Sequence, residues 1–183
     1  MNKTSKGVIL ITIAVIAALT AVLDMFAIIS FPTGILSVSS FYIGSAFFLV
    51  FVYLFRWKGA IGIYLGLLLS SIITSGFSLF PIYGAWGNVV ANVFIVKGMD
   101  ILNCNCELKT RKDIVAMAMF FIIGPMISAA WVLGGWVAVG IMPRSSFIPA
   151  FIPWWLGGVA VYYIIGTPVM KTLVPVLKHY NIS

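Results

Sequence analysis

Six long apolar runs, separated by short polar or proline-bearing breaks, occupy most of this chain. They cover about 7–29, 41–55, 59–77, 84–102, 114–141 and 149–170. A bilayer core about 30 Å thick needs about 20 apolar residues in helical form, within a range of about 17–25. Lipid offers no hydrogen bonds to backbone groups, so a spanning segment is either a helix or part of a closed barrel. Barrel strands read as alternations of about ten residues, whereas these runs are continuously apolar. The expectation is an all-α membrane protein, a six-transmembrane-helix bundle, with 1–183 forming a single integral membrane domain.

The cations sort with that count. Lys3, Lys6, Arg56, Lys58, Lys97, Lys109, Arg111, Lys112, Lys171 and Lys178 fall on one set of alternate breaks, and Arg144 alone on the other, which accounts for all 11 Lys and Arg. Cytoplasmic loops carry the Lys/Arg excess, so the N-terminus and C-terminus are both expected in the cytoplasm, with the bundle in the cell membrane. The net charge of +7 is then a matter of topology, and no nucleic-acid partner is called for.

Composition excludes several classes. The chain is 62% hydrophobic and 8% charged, against roughly 45–50% and about a quarter in soluble domains. Its mean hydropathy is +1.15. An ordinary soluble enzyme and a disordered chain are both ruled out. The first run is too long for the apolar region of a secretory signal and lacks a clear small-residue cleavage site, so a retained helix is expected. Pro125, after Gly124 inside the fifth run, is expected to kink its helix because it removes a backbone donor.

Nothing in the sequence carries catalysis. No P-loop and no H-E-x-x-H motif occurs, and the only histidine, His179, lies in the basic tail. No cofactor and no metal is expected. Cys104 and Cys106 lie in the polar stretch 103–113. They read as two reduced thiols in a cytoplasmic loop, or as a small metal or redox feature.

The polar residues inside or beside the runs are few, and each is a candidate. Asp24 either reaches outside water or caps a turn, or else contacts a ligand or pairs with Arg144. Arg144, the lone outward cation, either holds an anionic solute or sits solvated in its loop. Asn88 and Asn92 are four apart and share a helix face. That face serves as interhelical hydrogen-bonding glue or as a solute lining, with Tyr83 and Trp86 beside it. Trp131, Trp136, Trp154 and Trp155 fall toward the outer side, as an interfacial belt or as the walls of an aromatic pocket. The small-residue pairs Gly62/Gly66, Ala14/Ala18 and Ala17/Ala21 let helices approach closely, within the bundle or against a partner.

On these features the chain resembles the S component, the substrate-binding membrane subunit, of energy-coupling-factor (ECF) vitamin transporters. The likeness rests on its length, six runs, both ends inside, the pair Ala14/Ala18 and the segment Phe55-Arg56-Trp57-Lys58-Gly59-Ala60-Ile61-Gly62. It implies uptake of a small solute or vitamin, with no ATPase of its own. A transmembrane coupling protein would meet Ala14 and Ala18, and ATPase subunits would supply the energy. A second likeness is to the MASE-type membrane-associated sensor domains of bacterial signalling proteins. It rests on Trp154-Trp155-Leu156-Gly157-Gly158 followed by Thr167-Pro168, the Gly59 to Gly66 helix and Gly87-Asn88. It implies a stand-alone sensor passing a signal to a separate output protein. The ligand-binding candidates on topology are Asp24, Tyr83, Trp86, Asn88, Asn92, Arg144, Trp154 and Trp155.

Overall fold

The structure is a computed structural model describing residues 6–26, 28–30, 39–76, 79–105, 108 and 110–179. Lys3, Cys106, Lys109 and the turn expected at Phe31-Pro32-Thr33-Gly34 lie outside the described residues. The elements in chain order are α1 (Lys6–Phe26), β1 (Ile28–Ser30), β2 (Ser39–Tyr42), α2 (Gly44–Phe55), α3 (Trp57–Ser75) and α4 (Leu79–Ile101). They continue with α5 (Arg111–Ala138), a 3-10 turn (Arg144–Ser146), α6 (Phe147–Val161), a π turn (Tyr162–Gly166) and α7 (Thr167–His179). Four helical stretches, Lys6–Phe26, Trp57–Thr74, Arg111–Ala138 and Arg144–Leu177, are long and apolar enough to cross a membrane, and Gly44–Phe55 is a shorter apolar helix.

The all-α expectation holds apart from one short hairpin. The first run was expected to stay helical to about 29 and the second to begin at 41. Instead β1 and β2 pair antiparallel, Ile28 opposite Tyr42, Ile29 opposite Phe41 and Ser30 opposite Ser39, with an irregularity after Ile29. Pairing satisfies backbone groups that would otherwise lack partners where the chain leaves its helices. A strand also advances about 3.3 Å per residue against 1.5 Å in a helix. The hairpin thereby extends the reach of α2, whose 12 residues make only about 18 Å of helix. α2 is apolar on every side and is buried accordingly: Ala46, Phe48 and Leu49 are fully enclosed, as expected of a helix without a polar face.

Close contacts set the direction of each helix. Gly62 abuts Ile16 and Gly66 abuts Ala17 and Thr20, so the numbers rise together and α1 runs parallel to α3. A Cβ at Gly66 would lie 2.5 Å from the Ala17 carbonyl oxygen, a distance that only glycine permits. The Gly62/Gly66 pair thus works inside the bundle, and Ala21 is buried, while Ala14 and Ala18 face outward, exposed. α4 and α5 run antiparallel, with Gly87 on Val132, Gly124 on Ile95 and Gly98 on Phe120. α5 and α6 are antiparallel too: Pro125 is seated on Gly158, Trp155 reaches the Ile122 carbonyl and, just beyond α6, Tyr163 reaches that of Ala118. Pro125 lies inside the 28-residue α5, and its ring serves as a packing surface for α6 at Gly158.

Two junctions are tightly built. Arg56 alone links α2 to α3, with φ +53°, a left-handed conformation that costs a non-glycine residue about 1–3 kcal/mol unless its surroundings hold it. Its guanidinium Nη1 donates to both Asp100 carboxylate oxygens at 3.0 and 2.7 Å and lies 5.4 Å from the Tyr53 ring centre. α5 opens with a capping box: Asp113 N–H donates to Thr110 Oγ1 at 3.1 Å and Thr110 N–H donates to the Asp113 carboxylate at 3.0 Å. Asp113 also accepts the Asn105 N–H at 3.0 Å, which ties the polar stretch to the helix start. Cys104 in that stretch is a free, half-buried thiol.

Candidate functional site

A chain of polar side chains crosses the apolar interior. At one end the Asp24 carboxylate accepts from the hydroxyls of Tyr42 and Ser70, joining α1, β2 and α3. The Ser45 hydroxyl donates to the Tyr42 carbonyl at 2.8 Å, and Ser45 borders the same cleft as Tyr162. Tyr162 donates to Asn92 Oδ1 at 3.0 Å. Asn92 Nδ2 in turn donates to the Asn88 carbonyl at 2.8 Å, and Ser128 Oγ donates to Asn88 Oδ1 at 3.2 Å. Ser45, Ser70, Asn92, Ser128 and Tyr162 are all buried.

Local sequence explains the placement. Asn88 and Asn92 lie one turn apart on α4 and face inward together, as four-residue spacing requires. Tyr162 opens the π turn, an i to i+5 loop that recurs at functional sites. Tyr42 ends the hairpin strand just before α2 begins. The alternative for any of these groups is an unpaired polar atom in an apolar interior, costing about 1–3 kcal/mol each.

Tyr42, Ser45, Asn88, Ser128 and Tyr162 surround one narrow cleft, closed by Pro125, Trp154 and Gly158. Its interior of about 20 Å³ has room for about one water molecule. The surroundings supply hydroxyls, an amide and one aromatic wall, a set that binds through hydrogen bonds and stacking. No group of three or more His, Cys, Asp or Glu that could hold a metal occurs among the described residues.

The expected site residues separate into two groups. Asp24, Asn88, Asn92 and Trp154 belong to the polar chain or its cleft. Asp24 meets Tyr42 and Ser70 and does not pair with Arg144, which is exposed in the 3-10 turn. The other three stand elsewhere. Tyr83 and Trp131 clasp α4 to α5: the Tyr83 hydroxyl donates to the Trp131 carbonyl at 3.0 Å, the Trp131 indole donates back at 3.2 Å, and the rings stack at 5.3 Å. Trp86 packs on Tyr64 with ring centres 4.7 Å apart. Trp155 donates to the Ile122 carbonyl at 2.9 Å. Tyr42, Ser45, Ser70, Ser128 and Tyr162 were not singled out from sequence. Serine and tyrosine within apolar runs also suit helix packing and interfacial belts, so only their meeting in space distinguishes them.

No protein-family model, no curated protein and no solved structure matches this chain.

Proposed function

We propose that this chain is a six-span protein of the cell membrane, with both termini in the cytoplasm, that binds a small solute in the polar cleft and relies on separate subunits for energy. The observation that carries the reading is the convergence of Asn88, Ser128, Tyr42, Ser45 and Tyr162 on one cleft walled by Trp154. Hydrogen-bonding glue between two helices needs one pair of residues. Here two hydrogen-bonded groups, drawn from seven elements, meet at one opening. Polar groups placed in a mostly apolar pocket fix a ligand's orientation and supply specificity.

The helix directions support the topology. Lys6, Arg56, Lys58, Lys97, Arg111, Lys112 and Lys171 gather at one end of the bundle, and Arg144 stands at the other, as the contacts between neighbouring helices require. The positive end faces the cytoplasm. Asp24 and the cleft are displaced toward the opposite end, where an external solute arrives. A vitamin-sized molecule needs α6 to move away from α4, because the cleft now fits about one water. The chain holds no nucleotide-binding motif, so uptake on this reading draws on a coupling protein and ATPases. The outward Ala14 and Ala18 offer a smooth surface to such a coupling protein.

Native mass spectrometry of the protein released from mild detergent tests the reading. A small organic molecule should survive purification, and Asn88→Ala or Trp154→Ala should reduce its occupancy on the order of tenfold. Undiminished occupancy in both variants removes the cleft as the site. A kinase or cyclase that co-purifies in place of ATPases assigns the chain to signalling.

A further inference from the structure

A wider cavity lies at the other end of the molecule. It measures about 450 Å³ and opens between α2, α3 and α4, within the size range of small-ligand sites, about 300–1,000 Å³. Val52, Ala60, Val93 and Val96 form its apolar walls, and Arg56, Trp57, Lys97 and Asp100 its rim. The rim is ordered. Asp100 pins the Arg56 guanidinium through Nη1, and Arg56 itself occupies the strained one-residue junction described above. Lys97 is exposed, one turn before Asp100 on α4, and Trp57 is 56% exposed.

We propose that this cleft binds the headgroup of an anionic phospholipid of the cytoplasmic leaflet, with the start of an acyl chain against the valine walls. The inference rests on the orientation given in the proposed function, though not on its solute. Three features select this occupant. Cations outnumber the acid on the rim, two to one, and Lys58 adds a further positive charge next to Trp57. Pockets with basic rims between spanning helices on the cytoplasmic side suit acidic headgroups. The polarity is also graded, from Lys97 and Trp57 at the rim to Val52 and Val93 inside, matching a molecule that is charged at one end and apolar at the other. Finally, the flanks of the cleft are lipid-compatible: Ile61 and Leu65 on α3 and Phe94 on α4 are large, apolar and exposed. A freely diffusing anion would gain nothing from the apolar walls.

The test uses the full chain in detergent with phosphatidylglycerol or phosphatidylcholine added in equal amounts, and native mass spectrometry counts retained lipid. Phosphatidylglycerol should be retained in preference. Lys97→Gln should lower that preference about fivefold, since a basic residue near the headgroup is worth about 1 kcal/mol. Lys97 is exposed, so the variant keeps its fold, which an unchanged melting temperature verifies. Arg144→Gln, at the far end, should leave the preference intact. Equal retention of the two lipids, or no effect of Lys97→Gln, overturns the proposal. Displacement of the lipid by inorganic phosphate at comparable concentration overturns it too, because the site then takes a soluble anion. Asn88→Ala should leave lipid retention unchanged, so failure here and failure of the solute reading are separate results.

Discussion

The Tyr162 hydroxyl donates to the Asn92 side-chain carbonyl at 3.0 Å across 70 residues of sequence, and both side chains are buried. This bond joins the π turn to the middle of α4. Tyr162→Phe removes the donor and leaves the amide oxygen enclosed without it. The expected loss is about 0.5–2 kcal/mol, read as a lower melting temperature in detergent. Asn92→Leu leaves the buried Tyr162 hydroxyl without its acceptor and should cost about 1–3 kcal/mol, a drop in melting temperature at least as large as that of Tyr162→Phe. Solute occupancy should fall in both.

Asp24 holds two hydroxyls from different elements. Asp24→Leu leaves the Tyr42 and Ser70 hydroxyls without that acceptor and should destabilise the bundle by about 1–3 kcal/mol. Asp24→Asn keeps an acceptor oxygen and should recover part of that loss. Equal melting temperatures for the two variants would show that the acceptor is not what stabilises this corner.

Gly66 and Ala18 make opposite predictions on facing helices. Gly66→Val drives methyl groups into the Ala17 carbonyl and Thr20, forcing α1 off α3 at a cost of about 1–3 kcal/mol. Ala14→Leu and Ala18→Leu point outward and should leave the melting temperature unchanged. If these two instead abolish co-purification of a membrane partner, the outward face of α1 is the docking surface.

Orientation is measurable with a membrane-impermeant maleimide. With Arg144→Cys introduced into a Cys104→Ser, Cys106→Ser background, intact cells should be labelled. The native cysteines should react only after permeabilisation. The reverse pattern inverts the bundle and moves the basic cleft to the outer face.

The apolar runs marked the helices because spanning segments need only length and continuity: both ends of α3 and α5 and the last residue of α4 fall within three residues of expectation, while α4 begins five residues early, at Leu79. The four-residue spacing of Asn88 and Asn92 revealed a shared inward face. What the sequence hid was tertiary. Ile28-Ile29 extends an apolar run without interruption, so a strand there resembles more helix. Tyr42, Ser45 and Ser128 sit among apolar neighbours, and nothing in spacing alone predicts that hydroxyls from α2, β2 and α5 converge. Trp86 and Trp155 show the converse: aromatic residues near the expected pocket pack elsewhere, on Tyr64 and on the Ile122 carbonyl, because a tryptophan within a helix serves equally well as a clasp to its neighbour.

The wide turn at Tyr162–Gly166 has a rotational consequence. At 3.6 residues per turn, each residue sweeps about 100° about the helix axis, and a π turn stores one residue more than the α geometry would hold. Tightening it would swivel the segment Thr167–His179 by about that angle. The enclosed Met170 and Val174 would give up their places to Val169 and Leu173. Events in the middle of the molecule and the azimuth of its last helix are thus geared to each other through a single stored residue.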